Sequence, residues 1–259
     1  SDGSFLKLPI NYSIVTNIDF EHIDYYKSYK NLEKAFIEFI NKTPPIGKSL
    51  ICIDNNNINK ILSRIRNKNI LTYGFKKESN YRISNPRYNA NHSLFDLYYK
   101  NLNGSRRIIR NINLRLIGRH NILNAAAAVA VCINLGVKID IIKKALKNFS
   151  GVQRRMTKIF SKDKNEFFDD YAHHPTEISS ILDGINKAYD NRKIITVFEP
   201  HRYSRIMSLK KAFSKSFHQS DLVLICPLYA AGEKKNVNFN LYNFAKLISK
   251  NSKTQVVLV

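Results

Sequence analysis

Strand-length apolar segments alternate with segments of helical periodicity in two separate runs, and nothing else in these 259 residues narrows the fold as far. The first run is YSIVTNI (12–18), NLEKAFIEFI (31–40), SLICID (49–54), NINKILSRI (57–65) and ILTYGF (70–75). The second is EFFDD, PTEISSILDGINKAY, KIITVFEP, YSRIMSLKKAFSKSF, DLVLICPL, LYNFAKLISK and QVVLV. Such alternation predicts parallel α/β sheets, and the short strands of the second run predict a small doubly wound one. Between the runs, YRIS, SLFDLYY and NINLRLIG predict antiparallel strands over 80–116, followed by an alanine-rich helix at 120–136 and another at 139–149. A boundary near Gly151 divides the chain into domains 1–151 and 152–259. Two domains also suit the length, because single cores stop growing near ~250 residues.

Composition excludes several classes. The chain is 44% hydrophobic, enough for real cores, yet no apolar run nears the ~18 residues of a membrane span. SDGSFLKLPINYSIV has neither the basic nor the apolar region of a signal peptide, so a cytoplasmic protein without membrane insertion is expected. Cys52, Cys132 and Cys226 lie in apolar stretches without CxxC spacing and are expected as buried free thiols. The formal charge of +22 invites a nucleic-acid reading, but the lysines are spread along the chain in nothing longer than pairs. No specific nucleic-acid partner is therefore expected, whereas attraction for small anions remains open.

The most polar clusters each follow an apolar strand: DDYAHHP after EFF, EPHRYSR after KIITVF, and YAAGE after DLVLICPL. Ligands on such sheets gather beyond the carboxyl ends of strands. If the three strands are neighbours, one rim carries Asp169, Asp170, Tyr171, His173, His174, His201, Arg202, Arg205, Tyr229 and Glu233. Any one of them has a plain structural reading, such as a helix cap or a surface hydrogen bond. Burying all of them without a ligand would cost far more than ~1 kcal/mol apiece. Arg202 and Arg205, three apart at a helix start, form a candidate anion clamp, and Arg154-Arg155 at the boundary could be brought onto a phosphate by a hinge. In GRHNILNAAAA, Asn121 and Asn124 share one helix face and could pair with a purine edge, unless Asn121 is only a cap. PIGKS (45–49) ends like a phosphate-binding loop but lacks its first glycine and its strand-then-helix order, so it reads as a turn.

Together, GRHNILNAAAAVAV, FSGVQRRM, DDYAHHPTEI, FEPHRYSR and LYAAGE, in this order and spacing, resemble the Mur ligase family, and within it the alanine-adding branch. SDGSFLKL and VTNIDFEHIDYY resemble the middle of that family's ATPase domain, so the likeness spans essentially the whole chain. It implies the C-terminal part of a P-loop-type ATPase domain followed by a Rossmann-like doubly wound domain. The family's UDP-sugar domain, its phosphate loop and an acidic magnesium ligand precede the matched region. A fragment that is inactive alone and needs an N-terminal half is therefore expected.

The implied reaction uses ATP and Mg2+ to convert the carboxylate of UDP-N-acetylmuramate into an acyl phosphate, which the amine of L-alanine attacks, in peptidoglycan precursor synthesis. By the same resemblance His22 helps hold magnesium, His120, Asn121 and Asn124 face adenine, Asp170 the ribose, and Arg155 the phosphates. Tyr171, His173, His201, Arg202 and Arg205 form the alanine side, with Tyr229 and Glu233 on the same rim. Glu21 stands where relatives usually carry Asp, and Met156 replaces a customary Phe. One rival is a sister ligase that adds a preformed peptide to the same sugar, which would be expected to lack HRYSR and the Tyr of DDY. Others are a basic nucleic-acid module and a metalloprotein using His173, His174 and His201, the latter without Cys or carboxylate partners at suitable spacing.

Overall fold

The computed structural model describes residues 3–101 and 103–259, leaving aside the side chains of Ile23 and Asp24. Ser1 and Asp2 of the SDGSF motif lie outside the described residues. Two compact units result, the first running to Phe149 and the second from Ser150, with residues 88–92 and 116–119 also belonging to the second.

In the first unit, β1 (Tyr12–Val15), β2 (Lys48–Cys52), β3 (Ile70–Gly74), β4 (Tyr81–Asn89), β5 (His92–Lys100) and β6 (Arg106–Leu114) form one six-stranded sheet in sequence order. The pairs from β1 through β4 are parallel, so YRIS in β4, expected among the antiparallel strands, runs parallel to β3, whereas β5 and β6 are antiparallel as their alternating apolar text requires. Helices α1 (Ile23–Tyr26), α2 (Tyr29–Asn41) and α3 (Asn56–Ile61) connect the early strands, while α4 (Arg119–Asn134) and α5 (Ile139–Asn148) follow the last. Their starts are chemical: Ser28 caps α2 by accepting from the Asn31 amide, and Asn55 caps α3 by accepting from Ile58. PIGKS is indeed a turn leading into β2, closed by the Gly47 amide on the Pro44 carbonyl. A side chain at Gly47 would run into the Asn11 carbonyl oxygen, so glycine is required there by space rather than by phosphate.

In the second unit, β7 (Thr157–Lys162) and β8 (Asn165–Asp169) make an antiparallel hairpin, followed by α6 (Pro175–Ala188). A parallel three-stranded sheet comprises β9 (Ile195–Phe198), β10 (Leu222–Ile225) and β11 (Gln255–Leu258), with β10 central. The helical segments α7 (Tyr203–Ser208), α8 (Lys210–Phe213) and α9 (Leu241–Ser252) lie between these strands. Phe198, Val223 and Ile225 pack with Leu182, Phe213 and Phe244 in one core, while Ile195 and Val197 point the other way and are exposed.

Three expectations need correction. EFFDD is a strand, but it pairs with β7, which the alternation did not reveal, and not with β9. The hairpin turns at Asp163 and Lys164, both at positive φ, the geometry of a two-residue turn without the usual glycine. YSRIMSLKKAFSKSF is not one helix: it breaks at Leu209 and gives way to turns after Phe213. Serine hydroxyls compete for its carbonyls, Ser208 donating to Arg205, Ser214 to Lys211 and Ser216 to Ala212. Lastly, Cys52 is buried, but Cys132 and Cys226 are only half-buried; all three are free thiols.

Candidate active site

Although β8 stands apart from the three-stranded sheet, the loops after β8, β9 and β10 converge. Their aromatic side chains form a row: the rings of Tyr171 and His173 lie 4.9 Å apart, His173 and His201 6.3 Å, and His201 and Tyr229 5.2 Å. The predicted rim therefore exists, carried by loops rather than by three adjacent strands. It is open, with Tyr171 46% and Tyr229 56% exposed, so the expected penalty of burying every polar group does not arise. Part of its charge is also internally paired, since Arg202 donates to Glu233.

Backbone bonds position the first of these loops. Asp170 accepts the amides of Met156 and Ala172, each at 2.7 Å, and Tyr171 donates its amide to the Arg154 carbonyl. Burial lifts the Asp170 carboxyl above its ordinary value, although those two donors and nearby Arg155 pull the other way. Each carboxylate oxygen has two lone-pair sites, so acceptor capacity remains for a hydroxyl. His174 caps α6, accepting the Thr176 amide on Nδ1 at 3.3 Å, and Glu177 completes the box by accepting the amides of His173 and His174 at 3.1 and 3.2 Å. Arg155 approaches the other oxygen of Glu177 at 3.3 Å.

The two histidines of the aromatic row are in different states of readiness. His173 Nδ1 is 2.8 Å from the Tyr171 carbonyl oxygen, which can only accept, so Nδ1 carries the proton and neutral His173 presents a lone pair on Nε2. His201 is reversed: Arg205 donates to its Nδ1 at 3.3 Å, so the proton sits on Nε2. Burial makes His201 harder to protonate, and the charges of Arg205, of His173 when it is protonated, and of Arg202 add to this against Glu199.

Arg202 is less simple than a second clamp. Its backbone sits at φ 69° and ψ 124°, a strained position for a side-chain-bearing residue, and its Nε donates to Glu233 at 2.8 Å. Glu233 also accepts the amide of Ser204 at 3.0 Å and its hydroxyl at 2.6 Å. Burial alone would raise the Glu233 carboxyl, but these donors outweigh it and hold the group below its ordinary value. Sequence reasoning missed Glu177 altogether and found no partner for Glu233. The first could have been read from the spacing of His174 and Glu177, but the second, 31 residues from Arg202, left no local signal.

In the first unit, the initial turn of α4 carries His120 and Asn121, both half-buried, and the next turn carries Asn124, which is exposed. Exposure of Asn124 leaves its amide open to a ligand and removes a core-packing explanation. His22, at φ 56°, has Nε2 3.9 Å from Glu21. Among the described residues no three His, Cys, Asp or Glu side chains gather as a metal site, so these residues do not form a magnesium site by themselves.

Residues 2–132 match the Mur ligase middle domain, and residues 154–251 match the Mur ligase, glutamate ligase domain. The chain belongs to the Mur ligase family. It is 51% identical to the UDP-N-acetylmuramate--L-alanine ligase of Pelagibacter ubique, over 100% of this chain and 56% of that protein. To the ligase of the same name from Brachyspira hyodysenteriae it is 44% identical over 90% of its length and 49% of that protein. This Mur ligase chain thus spans about half the length of the curated relatives it matches. Among solved structures, UDP-N-acetylmuramate-alanine ligase from Thermotoga maritima superposes with a TM-score of 0.74 at 24% identity, covering 100% of this chain and 53% of that one. A MurF ligase from the same organism, in complex with ADP, gives 0.70 at 15% identity, over 99% and 54%. At these identities the structural likeness establishes the α/β Mur ligase fold. No helix among the described residues is long and apolar enough to cross a membrane.

Proposed function

We propose that this chain carries the amino-acid site and part of the nucleotide site of an ATP-dependent ligase joining L-alanine to the carboxylate of UDP-N-acetylmuramate. The carrying observation is the row Tyr171, His173, His201 and Tyr229 with Arg202 and Arg205 beside it, in a chain 51% identical throughout to a relative of that name. Residues 1–151 would then be the latter part of the ATP-binding domain and 152–259 the domain that brings the amino acid. With nucleotide substrates, the reaction belongs in the cytoplasm.

A carboxylate oxygen of the sugar attacks the γ-phosphorus of ATP and ADP departs. The alanine nitrogen then attacks the acyl carbon, the amide bond forms and phosphate leaves. Alanine arrives as an ammonium, so a proton must go first, and His173 takes it on Nε2 in this reading, supported by the Nδ1 contact with the Tyr171 carbonyl that leaves Nε2 unprotonated in the neutral ring. Glu177, with Oε2 3.9 Å from Nδ1 of that ring, favours the resulting imidazolium. Arg205 and Arg202 answer the alanine carboxylate in this reading, since guanidinium matches its planar geometry. His120, Asn121 and Asn124 take the adenine, Asp170 the ribose, and Arg155 exchanges Glu177 for the phosphates. Magnesium would offset the charge on those phosphates, with His22 as a ligand.

The test is phosphate release from Mg-ATP, UDP-N-acetylmuramate and L-alanine, with this chain alone and with the part of the Pelagibacter relative that it does not cover. Alanine-dependent release with both halves is expected. Release that needs a peptide in place of alanine would shift the chain to the sister activity, and none from two folded halves would contradict the reading.

A further inference from the structure

The loops after β9 and β10 remain zipped beyond the strands. The Cys226 amide donates to Phe198, the Tyr229 amide to Pro200, and the Arg202 amide to Tyr229, all at 2.8–2.9 Å, which places His201 beside Tyr229. The zip ends in a turn in which the Glu233 amide reaches back to the Ala230 carbonyl, with Ala231 at φ 49° and Gly232 at φ 84°. Two side-chain-bearing residues, Arg202 and Ala231, thus adopt costly backbone conformations in two loops that meet. Besides the His201–Tyr229 ring contact, the Glu233 carboxylate joins those loops, taking the Arg202 guanidinium and both donors of Ser204. Helix α7 gets no cap from its own N-cap side chain, since Arg202 occupies that position and cannot accept.

We propose that Glu233 is a positioning residue for the amino-acid site: it clasps the 229–233 turn onto the start of α7 and so fixes Arg202 and the His201–Tyr229 pair. The idea rests on the ligase reading. The carboxylate touches no reacting atom in this account. Its loss lets both strained segments relax, swings the Arg202 charge away from the rim and separates His201 from Tyr229. Binding of the amino acid suffers, and binding of ATP does not, because Asp170 and Arg155 are held by a different set of bonds.

The experiment compares Glu233→Gln, Glu233→Asp and the unaltered chain in the two-half ligation assay, with hydrogen exchange of the Ser204 amide followed by NMR on the same proteins. Loss of a charge-assisted hydrogen bond is worth ~10-fold or more. Glu233→Gln should therefore raise the KM for alanine about tenfold, leave the KM for ATP within about twofold and speed Ser204 exchange, with Glu233→Asp intermediate. Faster exchange with an unchanged alanine KM, or equal changes in both KM values, overturns the proposal while the ligase reading stands. An unaltered chain without alanine-dependent turnover overturns both.

Discussion

Glu177 and Glu233 each hold at least one backbone amide at a helix start and an arginine beside it, but they are recruited in opposite ways. Glu177 sits three residues into the helix it caps, with its arginine arriving from the β7 side, and that pair is half-exposed, at 54% for Arg155 and 34% for Glu177. Glu233 comes from a loop 29 residues beyond Ser204, and its pair with Arg202 is drier, at 33% and 21%. A local clasp can form as its helix forms, whereas a distant one exists only once two loops have met. The Glu233 clasp should therefore report on the assembled rim, and the Glu177 clasp on α6 alone.

The largest expected effect is on stability. Glu233→Ala removes the carboxylate that takes the Arg202 guanidinium and two donors of Ser204, and should cost about 3 kcal/mol in urea unfolding of the second unit, read from the methyl signals of Val223 and Ile225. Glu177→Ala, which removes one side of a capping box, should cost about 1 kcal/mol by the same signals. A reversal of that order would break the comparison. Acid sharpens it. The Glu233 carboxyl is held below its ordinary value of 4.5, so its stabilisation is present above that pH and is lost as pH falls through the folded value. The stability gap between the unaltered chain and Glu233→Gln should accordingly narrow below about pH 4.5. The smallest effect is the coupling of the Arg155 and Glu177 side chains, a few tenths of a kcal/mol in a double-mutant cycle, against about 1 kcal/mol for Arg202 and Glu233. Equal couplings would mean that burial does not distinguish the two pairs.

Locality also explains what could be read in the sequence. Apolar runs record burial directly, which is why nearly every strand and helix was foreseen, and why polar clusters placed after strands pointed to one rim. The exceptions turn on local chemistry without the usual residues. β7 was missed because Asp163 and Lys164 turn the chain where glycine or asparagine would announce a hairpin. The single helix expected over 203–217 was broken by serine hydroxyls that bond their own backbone. The capping box at α6 was legible in principle, but its N-cap is His174 rather than a serine, threonine, aspartate or asparagine. Nothing near Glu233 names Arg202 or Ser204 as its partners, because that relation is created by the parallel pairing of β9 with β10. The opposed tautomers of His173 and His201 were likewise out of reach, since a carbonyl and a guanidinium set them.

The most direct test of the rim as an amino-acid site is the imidazole NMR spectrum of this chain during titration with L-alanine. Starting from a proton on Nδ1 of His173 and on Nε2 of His201, the account predicts that alanine shifts both rings and leaves those of His92 and His218 in place. Rings of His173 and His201 that stay still at saturating alanine, or that shift no more than His218, would contradict it.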